Sequence, residues 1–361
     1  MDIAKFSLKN WLLLVFIVYL ILFLFKTNKK RVVFGNKNVI EVKSVGVLIV
    51  IFLLSILAAN RTGIGDTSNY INIFKSVPTD LNEFLIDLDF SKEYGFFILN
   101  FIIKQIIGDS EFLYLLVTSG FVIGTNLWFM NKYGKDIEVC GSLFIMCGLF
   151  ITGLNGLRQS IVAAFFILMI PLIKEKKYLR YFICCFLLST IHKSAVLLLP
   201  VVFIFNCKAW GKMTFILIFL GLIAYILYPL FGDFLTIMLS DGAYSGYITG
   251  IVTGTAGAAN FLRVIVKFVP VLLAFLYRNK LNKNENFSIL LHASILSFVF
   301  MLLASVKSWI FARLCIYFDI MSITLLSECI NISNKDKKIL YLLCLVFYCL
   351  FFYYELITTV L

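Results

Sequence analysis

In a chain of 361 residues, 61% are hydrophobic and 14% charged, with a mean hydropathy of +0.97, which excludes an ordinary soluble globular protein. The net charge of +12 reports orientation in a membrane and not nucleic-acid binding, because no zinc-ligand spacing or aromatic and basic platform accompanies it.

A helix needs about 20 apolar residues to cross hydrocarbon, and the long runs here are unbroken and do not alternate, which selects helices. Apolar runs between charged breaks predict about twelve spans. In chain order they are 8–25, 44–60, 111–130, 137–154, 157–173, 178–191, 194–206, 213–231, 261–277, 288–304, 309–329 and 339–356. The expected fold class is all-α: one integral membrane domain over 1–361, a polytopic helix bundle with outer amphipathic helices. The first run is followed by "KTNKKR" with no small-residue cleavage site, and reads as a retained span.

The stretch 94–107, "YGFFILNFIIKQII", is short and interrupted by Lys104, and is expected to be interfacial or half inserted. Leaving it out as a span places 26–43, 131–136, 174–180, 207–212, 278–286 and 331–338 on one side. These segments hold 20 of the 32 Lys and Arg residues, so that side is cytoplasmic. Counting 94–107 as a span would put the basic segments 26–43 and 174–180 on opposite sides. The nine cysteines show no paired spacing in an outer loop, and predict neither a disulfide framework nor a metal cage.

Two long outer segments remain, 61–110 and 232–260, and loops of that length are usually functional or disordered. The first is acidic, and its amphipathic "LNEFLIDL" is expected to rest on the membrane surface. The second carries Gly242, Gly246, Gly250 and Gly254 at a spacing of four. It is either a ridge for close helix packing or a mobile lid.

Basic residues also collect at the outer ends of spans: Arg61, Arg158, Lys193, Arg263, Lys267, Lys307 and Arg313. Singly, each can snorkel to the headgroups. Together, on the side that should be poor in cations, they point to a shared anion. Arg263 and Lys267 are four apart on one helix face, with Pro270 one turn deeper to bend the helix. Arg313 lies about one turn inside its span, with Tyr317 expected on the same face. The planar, permanently charged arginine fork suits phosphate oxygens, so an outer-leaflet diphosphate fits the set.

Titratable groups near the same face offer acid–base chemistry. His192, in "STIHKSAVLLLP", sits between two short spans, either as a base or phosphate ligand or as a cap for a helical hairpin. Asp66, in "NRTGIGDTSNYINIF", lies one turn before Tyr70 and is either an N-cap or a base for a sugar hydroxyl. Asp319, halfway down its span, is expected to pair with a buried cation. His292 reads as structural.

At these positions the sequence resembles the EpsG family, the Wzy-like polymerases of capsule, exopolysaccharide and O-antigen assembly. The matching stretches are "NRTGIGDTSNYINIF" (Arg61, Asp66, Tyr70), "EYGFFILNFII" (Glu93, Gly95), "GLRQSIVAAFF" (Arg158, Gln159) and "IHKSAVLLLP" (His192, Lys193, Ser194), in order over roughly 45–205. Beyond 205 the likeness rests on an outer loop followed by spans bearing Arg263 and Arg313.

The resemblance implies a GT-C-like glycosyltransferase in the bacterial cytoplasmic membrane with its site on the extracytoplasmic face. Such a polymerase joins undecaprenyl-diphosphate-linked oligosaccharide repeat units. It implies Arg158, Gln159, Arg263, Arg313, Arg61 and Lys193 on the diphosphate, Tyr70, Tyr317 and Lys267 as further substrate contacts, and Asp66 or His192 as the base. No cofactor is expected, and the question of a divalent metal stays open. Partners are the lipid-linked glycan and the bilayer, with a flippase and a chain-length regulator as candidate protein partners, and no nucleic acid. Two other functions fit the same composition: a ligase or transferase moving glycan from the lipid carrier to a different acceptor, and a flippase for the lipid-linked glycan.

Overall fold

Helix starts coincide with capping side chains in the sequence. Ser7, Asp80, Ser110 and Asn260 each accept a hydrogen bond from a backbone N–H two or three residues ahead. The computed structural model describes residues 2–25, 44–239, 258–282, 286–306, 309–332 and 337–360, and no strand occurs among them.

By contact the chain divides into two compact units, Met1–Phe203 with Lys338–Leu361, and Ile204–Lys337. In the first, α1 (Leu8–Leu24) and α2 (Val45–Ala59) are followed by three helices within the segment 61–110, α3 (Thr67–Ser76), α4 (Leu81–Asp87) and α5 (Tyr94–Ile107). Then come α6 (Glu111–Tyr133), α7 (Ile137–Met146), α8 (Leu149–Asn155), α9 (Leu157–Lys174) and α10 (Tyr178–Ile191), a 3-10 turn Lys193–Leu198, and α11 (Val201–Phe205). The long α6 is the spine: α2 lies along one side of it and α9 along another, while α10 packs on both α9 and α5.

The second unit holds α12 (Lys212–Leu239), α13 (Phe261–Leu276), α14 (Arg278–Leu281), α15 (Phe287–Ala304), α16 (Trp309–Leu314) and α17 (Asp319–Ile332). Helix α15, buried along nearly its whole length, is the centre on which α12, α13, α16 and α17 pack. His292 is fully buried there, bonded through Nε2 to Thr214 Oγ1 at 3.0 Å, a structural role as expected. The helix α18 (Lys337–Glu355) belongs from Lys338 onward to the first unit, where Phe352 meets Trp11 edge to face.

Among the described residues, four helices have the length and apolarity of a span: α6, α9, α15 and a stretch of α18 with its extension, Ile339–Thr358. Counting each of two bent pairs as one span brings the number to as many as six, α7 with α8 at 55° and Phe311–Tyr317 with Asp319–Asn331 at 64°. The remaining expected spans coincide with shorter apolar helices, so the position of nearly every run is right while the count of about twelve is not established. The bend between α7 and α8 falls at Gly148, whose φ of 76° lies in the left-handed region that favours glycine.

The bend at Phe318 changes the reading of Arg313 and Tyr317. A continuous helix would put residues four apart on one face, but the chain breaks through a 3-10 turn at Cys315–Tyr317. Arg313 is exposed, whereas Tyr317 is buried.

Helix α5 is the 14-residue helix expected at 94–107, and Lys104 does more than interrupt it. Its ammonium donates to the carbonyls of Phe74, Lys75 and Val77 at 3.3, 3.0 and 2.6 Å and pairs with Asp109 at 2.8 Å. It thereby satisfies the open carbonyls at the end of α3 and fastens that helix to α5. The glycines proposed as a ridge or lid lie at 242–254, outside the described residues.

Candidate functional site

Three segments of the first unit converge on one carboxylate. Glu93 stands at the N-cap position of α5, and its Oε2 accepts from Arg158 Nη1, near the start of α9, at 2.5 Å. Its Oε1 lies 2.8 Å from His192 Nδ1 and accepts from the Lys193 N–H at 2.8 Å. A carboxylate only accepts, so Nδ1 carries the hydrogen and the lone pair of a neutral His192 sits on Nε2.

Local structure explains the convergence. His192 closes α10 with extended backbone (φ −152°, ψ 119°), and its carbonyl accepts from Ala195 N–H to start the following 3-10 turn. The hairpin-cap role therefore belongs to its backbone, which leaves the imidazole to Glu93. Gly95 lets α5 come close enough: a Cβ there would lie 2.1 Å from Thr190 Oγ1 and 2.8 Å from the Thr190 carbonyl carbon. Arg158 is placed by the break between α8 and α9 at Gly156.

Two rings flank the arginine, with its Cζ 5.8 Å from the centre of Tyr70 and 5.5 Å from that of Phe96. Tyr70 belongs to the buried cluster that includes Phe96, Tyr114 and Leu157. Burial raises the Tyr70 phenol above its ordinary value, Arg158 opposes that rise, and Asp66 adds to it. Burial would likewise raise the Glu93 carboxyl, but His192, the Lys193 N–H and Arg158 together outweigh it and hold Glu93 below its ordinary 4.5.

Asp66 occupies the N-cap position of α3, yet its carboxylate makes no capping bond. Its backbone N–H donates to Asn155 Oδ1 at 3.1 Å, which ties the segment before α3 to the end of α8, three residues before Arg158. Gly65, at φ +49°, makes room for the Asn155 carboxamide.

The other expected residues are distributed more widely. Arg61 is buried and bonded to Ala58 O, Ser119 Oγ and Thr67 Oγ1 at 2.7, 2.8 and 3.0 Å. Burial lowers it to about 10. Gln159 is buried beside the half-exposed Arg158, and the Lys193 side chain is exposed. Lys267 pairs with Asp319 at 2.6 Å inside the second unit, and Ser297 Oγ donates to the same carboxylate oxygen at 2.5 Å. The expectation that Asp319 meets a buried cation is met, with Lys267 as that cation. Arg263, half-buried, and Arg313, exposed, belong to the second unit as well.

Sequence reasoning quoted Glu93 as part of a matching stretch without assigning it a role. The available signal was an acidic residue directly before an apolar helix, on the same expected side as Arg158 and His192. Among the described residues, no three His, Cys, Asp or Glu side chains gather as metal ligands.

A helical membrane protein with a cation, a carboxylate and an imidazole joined at the ends of its apolar helices is the class these features define. Residues 45–360 match the family model described as "EpsG family", and the chain belongs to that family of Wzy-like polysaccharide polymerases. Membership points to glycosyltransferase-like polymerase chemistry, and the match extends well past residue 205. Neither the curated proteins nor the solved structures gave a match.

Proposed function

We propose that the protein polymerises undecaprenyl-diphosphate-linked oligosaccharide repeat units at the outer face of the bacterial cytoplasmic membrane, with a GT-C-like bundle carrying the site. The observation that carries this reading is the single carboxylate, Glu93, shared by Arg158 and His192. The reaction makes two demands: a base for the acceptor hydroxyl, and positive charge where the diphosphate departs.

His192 answers the first. Glu93 orients its ring and stabilises the imidazolium that forms when Nε2 takes the proton. The acceptor oxygen then bonds to the anomeric carbon as the bond from that carbon to the diphosphate oxygen breaks, and the electron pair leaves with the diphosphate. Arg158 answers the second demand, its fork matching phosphate oxygens beside two aromatic faces that restrict water. Asp66, one turn before Tyr70 in the same unit, is the alternative base. The clamp is assigned to Arg158 within the first unit, and products for capsule, exopolysaccharide or O-antigen all satisfy it.

Deletion of the gene tests the reaction class. The expected result is single repeat units accumulating on the lipid carrier; long chains on that carrier would identify a ligase instead.

A further inference from the structure

A carboxylate already bonded to the guanidinium meant for a diphosphate is a competitor for that site. Glu93 Oε2 holds Arg158 Nη1, whereas Oε1 is held by His192 Nδ1 and by the Lys193 N–H. The backbone donor cannot turn away, so Oε1 is anchored more firmly than Oε2. Exposure is asymmetric in the same sense: the Arg158 side chain is 34% exposed and that of Glu93 16%. An anion can therefore reach the guanidinium without first uncovering the carboxylate.

We propose that Glu93 is a resident anion displaced from Arg158 by the incoming diphosphate, so that substrate arrival leaves its charge to His192. This rests on the reading of Arg158 as the diphosphate clamp. In the resting site one negative charge is divided between two partners. Once Arg158 turns to phosphate oxygens, the carboxylate serves His192 and the Lys193 N–H.

The imidazole then takes the acceptor proton at Nε2, while the acceptor oxygen bonds to the anomeric carbon. The bond to the diphosphate breaks, its electron pair stays on the leaving oxygen, and Arg158 meets the added charge. When the lipid diphosphate departs, Nε2 returns its proton to solvent and Arg158 returns to Glu93. A base supported in this way only after the donor is bound couples proton transfer to donor arrival. Glu93 is thus a positioning residue, acting through Arg158 and His192.

Competition gives Glu93→Gln an unusual signature. The amide keeps the shape and still accepts from the Lys193 N–H, but it no longer competes for the guanidinium. Purified full-length Glu93→Gln should bind inorganic pyrophosphate roughly 2- to 5-fold more tightly than wild type, the range expected for loss of a half-exposed ion pair. Its kcat on a lipid-diphosphate oligosaccharide should fall by tenfold or more while KM also falls. Loss of a merely structural contact would weaken binding and raise KM.

Wild-type protein supplies a measurement that needs no variant. With pyrophosphate bound, an experimental structure should show Arg158 on phosphate oxygens and Glu93 still on His192. Arg158 remaining on Glu93 in that complex, or pyrophosphate binding no tighter in the variant, overturns the exchange while leaving the polymerase reading intact. A wild-type protein that neither binds pyrophosphate at Arg158 nor forms polymer overturns both.

Discussion

Arg158 and Glu93, 65 residues apart in the chain, meet through Nη1 and Oε2 at 2.5 Å, and the arginine's cation is thereby held against the N-terminus of α5. An arginine placed only to reach headgroups would have no need of a carboxylate that also orients a histidine. The permanent cation at the start of α9 is one corner of a triad with Glu93 and His192.

Replacing Arg158 with Lys keeps the charge and removes the fork. Polymer formation should fall by on the order of 10²-fold while the protein still inserts and accumulates, since an ammonium cannot bind phosphate bidentately. Immunoblotting of membranes beside polymer quantification checks this, and wild-type polymer in Arg158→Lys would remove the residue from the site.

His192→Ala and Asp66→Ala separate the two candidate bases. The His192 variant should lose about 10²- to 10⁴-fold in kcat, the usual range for a general base. Asp66→Ala should lose much less, because the bond from this position to Asn155 is made by its backbone. Equal activity of His192→Ala and wild type would transfer the role away from the imidazole.

The depressed Glu93 titration gives a stability dependence with a definite sign. Folding favours the ionised form, so the contribution is complete above the ordinary value of 4.5 and disappears as pH falls through the lower folded value. Thermal unfolding of wild type and Glu93→Gln should therefore differ most near neutrality and converge on acidification. A constant difference across that range would contradict the assignment.

Gly95→Ala introduces a methyl against the Thr190 backbone and should push α5 away from α10. Overpacking of this kind costs about 1–3 kcal/mol, so the unfolding midpoint and the polymer yield should drop together. An alanine variant with wild-type stability and yield would show that the close approach is dispensable.

In the second unit, Lys267→Met strands Asp319 against Ser297 with its cation gone. Breaking a buried pair from one side costs about 3–5 kcal/mol, whereas Lys267→Met with Asp319→Leu removes both charges and should recover most of the loss. Detergent thermal-shift measurements distinguish the two, and a single variant as stable as wild type would mean that the pair is not buried in the membrane-embedded protein.

The helices were legible because apolar runs end at charges: 157–173 was expected and Leu157–Lys174 forms, and 261–277 was expected and Phe261–Leu276 forms. The breaks were less legible. Residues 137–154 form two helices around Gly148, and 309–329 splits at Phe318, because hydropathy averages over a bend that backbone conformation creates. Arg158, His192, Tyr70 and Asp66 were recognisable as candidates from residue type, motif order and expected membrane side. The common partner of Arg158 and His192 was not, since Glu93 reaches them across 65 and 99 residues, separations that no local periodicity records. The role of Lys104 was hidden for the same reason, because its carbonyl partners lie 27 to 30 residues earlier in the chain.

The most direct measurement is a reconstitution with purified protein and one defined undecaprenyl-diphosphate oligosaccharide, resolved by gel electrophoresis. The expected result is a ladder of repeat units from wild type, lost in Arg158→Lys and His192→Ala. No ladder from wild-type protein, or an undiminished ladder from both variants, would contradict the assignment of this triad to polymerisation.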